Sequence, residues 1–360
     1  MFKKTGHCSF YCYNQRDLPL ARFDMSQTHH TIAVLTSGGD SPGMNPAVRA
    51  VARAAMHQGY RAIGYQNGYD GIFDDDVIDL NDAVLSGLLE RGGTILQSSR
   101  CRRFMTAEGQ AQALQKLRDR KVDGLVVIGG DGSLTGALKL HELGFPVVGI
   151  PGTIDNDIFG TQMGVGVDTA SNTIVDMIDK IKDTARSHRR CFLVEVMGRG
   201  SGYLALTTAI SCGAEVAVIP EYRYNMPRIL RLLAKRYEEK RKNSLIILAE
   251  GVCSAEEFIT KMQESAGEDV LQQEVRKTVL GHVQRGGRPS HYDRILATRM
   301  GELAVTGLLT SETGTMTALH QGKVTLVDLT YVLSKKRTIS TTLTRLAGNM
   351  EIEFGDAVEV

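Results

Sequence analysis

No stretch of this 360-residue chain is continuously apolar over the length of a membrane span, and residues 1–24 lack the unbroken apolar block of a signal peptide. Neither a membrane partner nor export is expected. An excess of one charge is missing too: 42 basic and 41 acidic residues leave a formal net charge of +1, which gives nucleic acid no general reason to bind. Any anion site has to be local. The six cysteines, Cys8, Cys12, Cys101, Cys191, Cys212 and Cys253, show no CxxC spacing, which suits reduced thiols in a cytoplasm. His7, Cys8 and Cys12 have no evident fourth ligand for a metal. Proline is scarce, with 8 residues, and low-complexity tracts are absent, whereas glycine is abundant at 38. That balance points to ordered loops with unusual backbone angles.

The length exceeds what one core usually supports, so two lobes are expected. Short apolar runs at 31–36, 124–128, 146–150, 192–196, 216–219 and 245–248 read as buried parallel strands. Helical patterns fall between them. After the first run, Asn45 is expected to cap a helix whose stripe is Val48, Val51, Ala52, Ala55 and Met56, ending near Gly59. Further helices are expected over 108–120, 133–143, 168–186 and 227–240. The alternation predicts an α/β fold of two Rossmann-like, doubly wound lobes. No Pro-rich or Gly/Ser linker divides the chain, so the lobes are expected to exchange segments. The residues before Met25 are expected to be an extension that the fold does not need.

Three glycine-rich segments directly follow apolar runs: LTSGGDSPGMN (35–45), VIGGDGS (127–133) and GIPGTIDND (149–157). Ligands of open α/β sheets lie beyond the carboxyl ends of strands, where adjacent glycines and a helix start suit a polyphosphate. Any one such loop is equally a plain turn. In the third, Asp155 and Asp157 flank Asn156, and Thr153 offers a hydroxyl. One carboxylate of such a pair can take a proton from an attacking hydroxyl while another acid, such as Asp131, holds Mg²⁺. An Asx-turn or helix cap is the structural alternative at each aspartate. Arg100, Arg190, Arg199, Arg276 and Arg285 sit in short segments suited to clamping phosphate.

With TSGGDSPGMNPAVR, RGGTILQSSR, VIGGDGS, PGTIDND, VEVMGRGSGYLAL, ILAEG and GHVQRGGRPSHYDRILATRMG in that order, residues 31–335 resemble the ATP-type 6-phosphofructokinase family. The resemblance implies phosphorylation of fructose 6-phosphate at its 1-hydroxyl by ATP with Mg²⁺. Carried over, nucleotide contacts fall on Gly39, Tyr69, Arg100, Cys101, Gly130, Asp131, Gly132 and Ser133, with the metal on Asp131. Asp155 is implied as base, Thr153 as a guide for the phosphoryl group, and Arg100 and Arg199 as charge stabilisers. The sugar phosphate is implied to meet Arg190, Met197, Gly198, Arg199, Glu250, Arg276, His282 and Arg285. In the family Arg190 and Arg276 serve a neighbouring subunit, which implies a homo-oligomer, usually a tetramer. The implied nucleotide lobe is 29–166 plus 284–334 and the sugar-phosphate lobe 167–283 plus 335–360, with 1–28 outside both.

Pyrophosphate users of the family carry Asp and Lys where this chain has Gly132 and Gly152, so ATP is the expected donor and pyrophosphate or mixed use the alternative. An NAD or lipid kinase would share the GGDGS-like loop and leave PGTIDND and GHVQRGG unexplained. A non-catalytic sensor would be expected to lose Asp155 or Arg199. The family's effector site is matched at Arg49, Arg53, Gly213, Glu215 and Arg241, with Lys182 for an arginine, but Asp82 and Glu239 stand where cations are usual and Asn243 where a histidine is. A weakened effector response is expected.

Overall fold

The computed structural model describes residues 30–188, 190–239, 243–266 and 274–357. The 1–28 extension, the His7, Cys8 and Cys12 group and Arg241 lie outside the described residues. The chain forms two compact units: one holds the chain up to Gly152 with Ile158–Met163 and Arg294–Lys335, the other Thr153–Asp157, Gly164–Asp293 and the chain from Lys336. Four places divide differently from the lobes expected from the sequence, namely 153–157, 284–293, 164–166 and Lys335. The second stays with its neighbours because Asp293 accepts hydrogen bonds from Gly166 N at 2.9 Å, Thr169 N at 2.8 Å and Thr169 Oγ1 at 2.6 Å.

The first unit is built on a seven-stranded sheet. An interior strand, Thr31–Ser37, has every residue buried, as a strand covered on both faces requires. On one side lie Arg61–Tyr65 and the antiparallel edge strand Val77–Asp79; on the other Gly124–Gly129, Val147–Pro151, Thr315–His320 and the antiparallel edge strand Lys323–Asp328. The chain therefore leaves this interior strand in one direction and returns on its other side, which creates a switch point between Thr31–Ser37 and Gly124–Gly129.

The second unit carries a four-stranded parallel sheet in the order Val275–Val279, Cys191–Val196, Ser244–Ala249, Val216–Val218, and a small antiparallel pair, Tyr222–Arg223 with Asp356–Ala357. Both sheets are flanked by helices, including Met44–His57, Ala107–Asp119, Asp131–Glu142, Val167–His188 and Met226–Glu238. Among the described residues no helix is long and apolar enough to cross a membrane.

Each apolar run expected as a strand is one. Most of the strands that were not expected lack a continuous apolar run. VRKTV at 275–279 is an edge strand with charged side chains outward, the composition that blunts an edge against further pairing. The first helix also differs in detail. It begins at Met44 after Gly43, whose φ is +114°, and Asn45 is not its cap. Buried instead, the Asn45 amide donates to Arg91 O and Gly92 O and accepts from Ile95 N, which straps the 91–95 segment to the start of this helix.

Candidate functional site

In the first unit the switch point is lined by the loops that follow its two central strands. Ser37 and Gly129 are opposite one another in register, so the 38–43 loop and the start of Asp131–Glu142 emerge side by side. The backbones approach so closely that a Cβ on Gly129 would lie 2.5 Å from both Ser37 O and Ser133 Oγ, which only glycine avoids. Gly39 is exposed, Gly130 is half-buried, and the first-turn amides of Asp131–Glu142 form an anion-attracting helix start. Asp131 is exposed there. Among the described residues no three His, Cys, Asp or Glu side chains gather as a metal cage. One exposed carboxylate fits Mg²⁺, which keeps several waters and binds through one or two carboxylates and substrate phosphates.

Arg100 is exposed at the end of a segment held by several bonds to the first strand. Thr36 Oγ1 donates to Gln97 O at 2.7 Å and lies 2.8 Å from Thr94 Oγ1, and Ser98 Oγ donates to Gly38 O. Cys101 is half-buried with its thiol against Asp70, and burial and that carboxylate raise its pKa. Tyr69 departs from the expectation of an adenosine contact. It is 4% exposed, its ring stacks on Phe104, and its hydroxyl donates to Ser133 O at 2.7 Å, so it supports the phosphate loop from inside the core. The two glycines tied to donor choice differ in surroundings. A Cβ on Gly132 would meet nothing within 4 Å, whereas one on Gly152 would come within 3.1 Å of Ile128 and 3.3 Å of Met44.

In the second unit the loops after Cys191–Val196 and Ser244–Ala249 emerge together, because Val196 and Ala249 are register partners. They carry Met197, Gly198, Arg199 and Glu250. Gly198, with φ +134°, lets the chain turn sharply; a Cβ there would strike Ser201 O at 2.4 Å. Arg199 is 69% exposed and reaches only to 4.0 Å from Glu250. The turn Gly281–Arg285, after Val275–Val279, brings up exposed His282 and half-buried Arg285. Gln284, which sequence reasoning passed over as an ordinary polar residue, is fully buried between them. It accepts from Met197 N at 3.1 Å and donates to Gly281 O at 2.9 Å, locking the two loops together.

Asp155 lies in the same unit, its amide donating to Thr153 Oγ1 at 3.2 Å. Burial and then the charge of Asp157 push its carboxyl up from 3.8 to about 6, with Arg285 and Arg199 pulling the other way and Glu250 reinforcing the rise. A carboxylate poised near neutrality is suited to general base work. Arg190 and Arg276 are not brought to this group. Arg190 immediately precedes Cys191–Val196 and Arg276 pairs with Phe192, at the amino ends of the strands. The loops of the Asp155 group leave the carboxyl ends, roughly 20 Å of strand away. Glu274 holds both arginines there, with 2.7 Å to Arg190 Nε.

Of the expected effector residues, Arg49, Arg53 and Asp82 line one open cavity in the first unit, where Asp82 pairs with Arg53 at 2.6 Å. In the second, Lys182 Nζ donates to Cys212 O, beside Gly213, and Glu215 accepts from Leu245 N.

Residues 31–308 match the phosphofructokinase family model. Curated proteins named ATP-dependent 6-phosphofructokinase from Halalkalibacterium halodurans and Bacillus pumilus are each 46% identical to this chain over 321 residues, covering 89% of it and 99% of each of them. The solved phosphofructokinase of Saccharomyces cerevisiae aligns with a TM-score of 0.80 at 34% identity, over 91% of this chain and 48% of the yeast chain, about half its length. A pyrophosphate-dependent phosphofructokinase from Marinobacter aquaeolei, covering 92% of this chain and 93% of its own, has a TM-score of 0.76 at 18% identity, a likeness of fold alone.

Proposed function

The chain belongs to the phosphofructokinase family, and from that premise we infer how its residues divide the work of the reaction. It is an ATP-dependent 6-phosphofructokinase that moves the γ-phosphoryl group of ATP to the 1-hydroxyl of fructose 6-phosphate. Pyrophosphate is not the favoured donor, since the relatives at 46% identity use ATP and the pyrophosphate-dependent neighbour shares only the fold.

The donor falls to the first unit and the acceptor to the second. The two sets of residues are consecutive in the chain at Gly152 and Thr153. The helix start at Gly130 to Ser133, with Gly39 and Arg100, receives the nucleotide phosphates. Asp131 holds Mg²⁺, which when bound neutralises phosphate charge. The observation that carries the reading is Asp155: a carboxylate raised to about 6, beside Thr153 and under the influence of Arg199 and Arg285. Ionised at neutral pH, it takes the proton of the sugar's 1-hydroxyl as that oxygen attacks. Arg199, exposed and only loosely paired, stabilises charge as it develops on the transferring group. Glu250, Met197 and Gly198 line the sugar, and His282 and Arg285 meet its phosphate.

Arg190 and Arg276 act on the site of a second copy. Their position at the opposite ends of the strands from Asp155 supports this, since neither serves the Asp155 group of its own unit. The working form is then a homo-oligomer with shared sites, a tetramer by family habit, acting in the cytoplasm. A coupled assay with fructose 6-phosphate, comparing ATP with pyrophosphate, tests the reading. Turnover with ATP that is lost in Asp155→Ser is expected, and turnover retained in that variant would remove Asp155 from the mechanism.

A further inference from the structure

The chain enters the second unit for the last time at Lys336, and the next residue, Arg337, is a half-buried cation with no role in the family-derived scheme above. Its Nη1 donates to Asn156 Oδ1 at 2.9 Å, a contact between residues 181 apart in sequence. Asn156 is the residue between the two loop aspartates. It is 2% exposed and holds φ +49°, a left-handed conformation that is uncommon outside glycine and that asparagine adopts more readily than other side-chain-bearing residues.

Contacts from distant parts of the chain help to hold it. Asn156 Oδ1 also accepts from Gly164 N at 3.0 Å, and the Tyr203 hydroxyl is hydrogen-bonded to the Asn156 side chain. The Arg337 guanidinium lies 5.8 Å from the centre of the Tyr203 ring, within range of a cation–π attraction. It also attracts Asp157, whose carboxyl is raised by burial and pulled back in part by this cation. Arg337 thus touches the residue after Asp155 and compensates the one after that.

We propose that Arg337 is a positioning residue for phosphoryl transfer, whose guanidinium clamps Asn156 in its left-handed conformation and so sets the direction of the Asp155 carboxylate. The proposal rests on the reading of Asp155 as the base. Arg337 itself touches neither substrate nor transferring group. A base displaced by about an ångström loses roughly a hundredfold in rate while binding, which depends on other residues, is left intact.

The test is steady-state kinetics of Arg337→Met, Arg337→Lys and Asn156→Gly in the full chain. Arg337→Met is expected to lower kcat by roughly ten- to a hundredfold with KM for fructose 6-phosphate and ATP changed less than about threefold. A small cavity of about 50 Å³, lined by Asn156, Tyr203 and Arg337, adjoins the space the side chain would vacate, so added guanidinium ion should restore part of the rate. Lysine, which keeps the charge without the planar fork, should restore less. Asn156→Gly removes the acceptor and leaves the backbone at this position free to depart from the left-handed conformation, so it should lose kcat alike, and the double variant should lose no more than either single one.

Normal kcat in either Arg337→Met or Asn156→Gly would overturn the proposal. So would equal losses in kcat and in binding, additive losses in the double variant, or an Arg337→Met defect that guanidinium ion leaves untouched. Asp155→Ser separates the two levels: if it retains turnover the base assignment fails, whatever the Arg337 variants do.

Discussion

Replacing Asp155 with asparagine should weaken catalysis and strengthen the fold, and the second effect should depend on pH in a defined direction. Burial and the neighbouring Asp157 raise the Asp155 carboxyl from 3.8 to about 6. The folded protein therefore binds this proton more tightly than the unfolded chain does. Between about pH 4 and pH 6 the folded state holds the proton and the unfolded state has released it, so stability falls as pH rises through this window. Above about pH 6 the full penalty is present, at most roughly 3 kcal/mol for a rise of this size; partial solvent access reduces it to on the order of 1–2 kcal/mol. Asparagine keeps the shape and never ionises. At pH 7.5 the variant should melt a few degrees above the parent, and near pH 4 the two should converge. Calorimetric scans at matched protein concentration across pH 4 to 8 measure the difference, and turnover, expected to drop by about two to four orders of magnitude, is followed in parallel. A variant less stable than the parent at pH 7.5, or a difference that does not change with pH, would refute the claim that Asp155 is a strained, buried charge.

The two donor-side glycines should separate experimentally. Gly132→Asp should leave the melting temperature within about a degree, because a Cβ there meets nothing, and should raise KM for ATP by repulsion at the phosphates. Gly152→Lys should lower the melting temperature as well as ATP use, since Ile128 and Met44 must give way. Asp293→Asn, which places an amide donor against either Gly166 N or Thr169 N, should cost about 2–3 kcal/mol in urea unfolding. Because Asp82 already pairs with Arg53, ADP and phosphoenolpyruvate should shift half-saturation by fructose 6-phosphate little, and Asp82→Ala should enlarge the shift; a large response in the parent would show that the site works as it stands.

Much of the fold was legible in the chain because its buried strands are continuous apolar runs followed by glycine-rich loops, and a parallel sheet sends such loops to one end. The residue types of PGTIDND and VIGGDGS carried the phosphate chemistry for the same reason, since the chemistry lies in carboxylates and amides that are close in sequence. Edge strands such as VRKTV were invisible, because half their residues face water. What tertiary structure alone decided are the contacts across long separations. Asn45 looks like a helix cap and is a strap on residues 91–95, Tyr69 looks like a ligand contact and is a buried strut under Ser133, and Gln284 and Asp293 look like surface polar residues and are fully buried braces. The raised carboxyl of Asp155 belongs in the same group, because desolvation depends on what the rest of the chain packs around it. So does Arg337, which is one basic residue in SKKRTIS until folding brings Asn156, 181 residues earlier, within hydrogen-bonding distance. Local sequence determines which groups can do chemistry; burial and long-range hydrogen bonds determine in which protonation state and direction they are held.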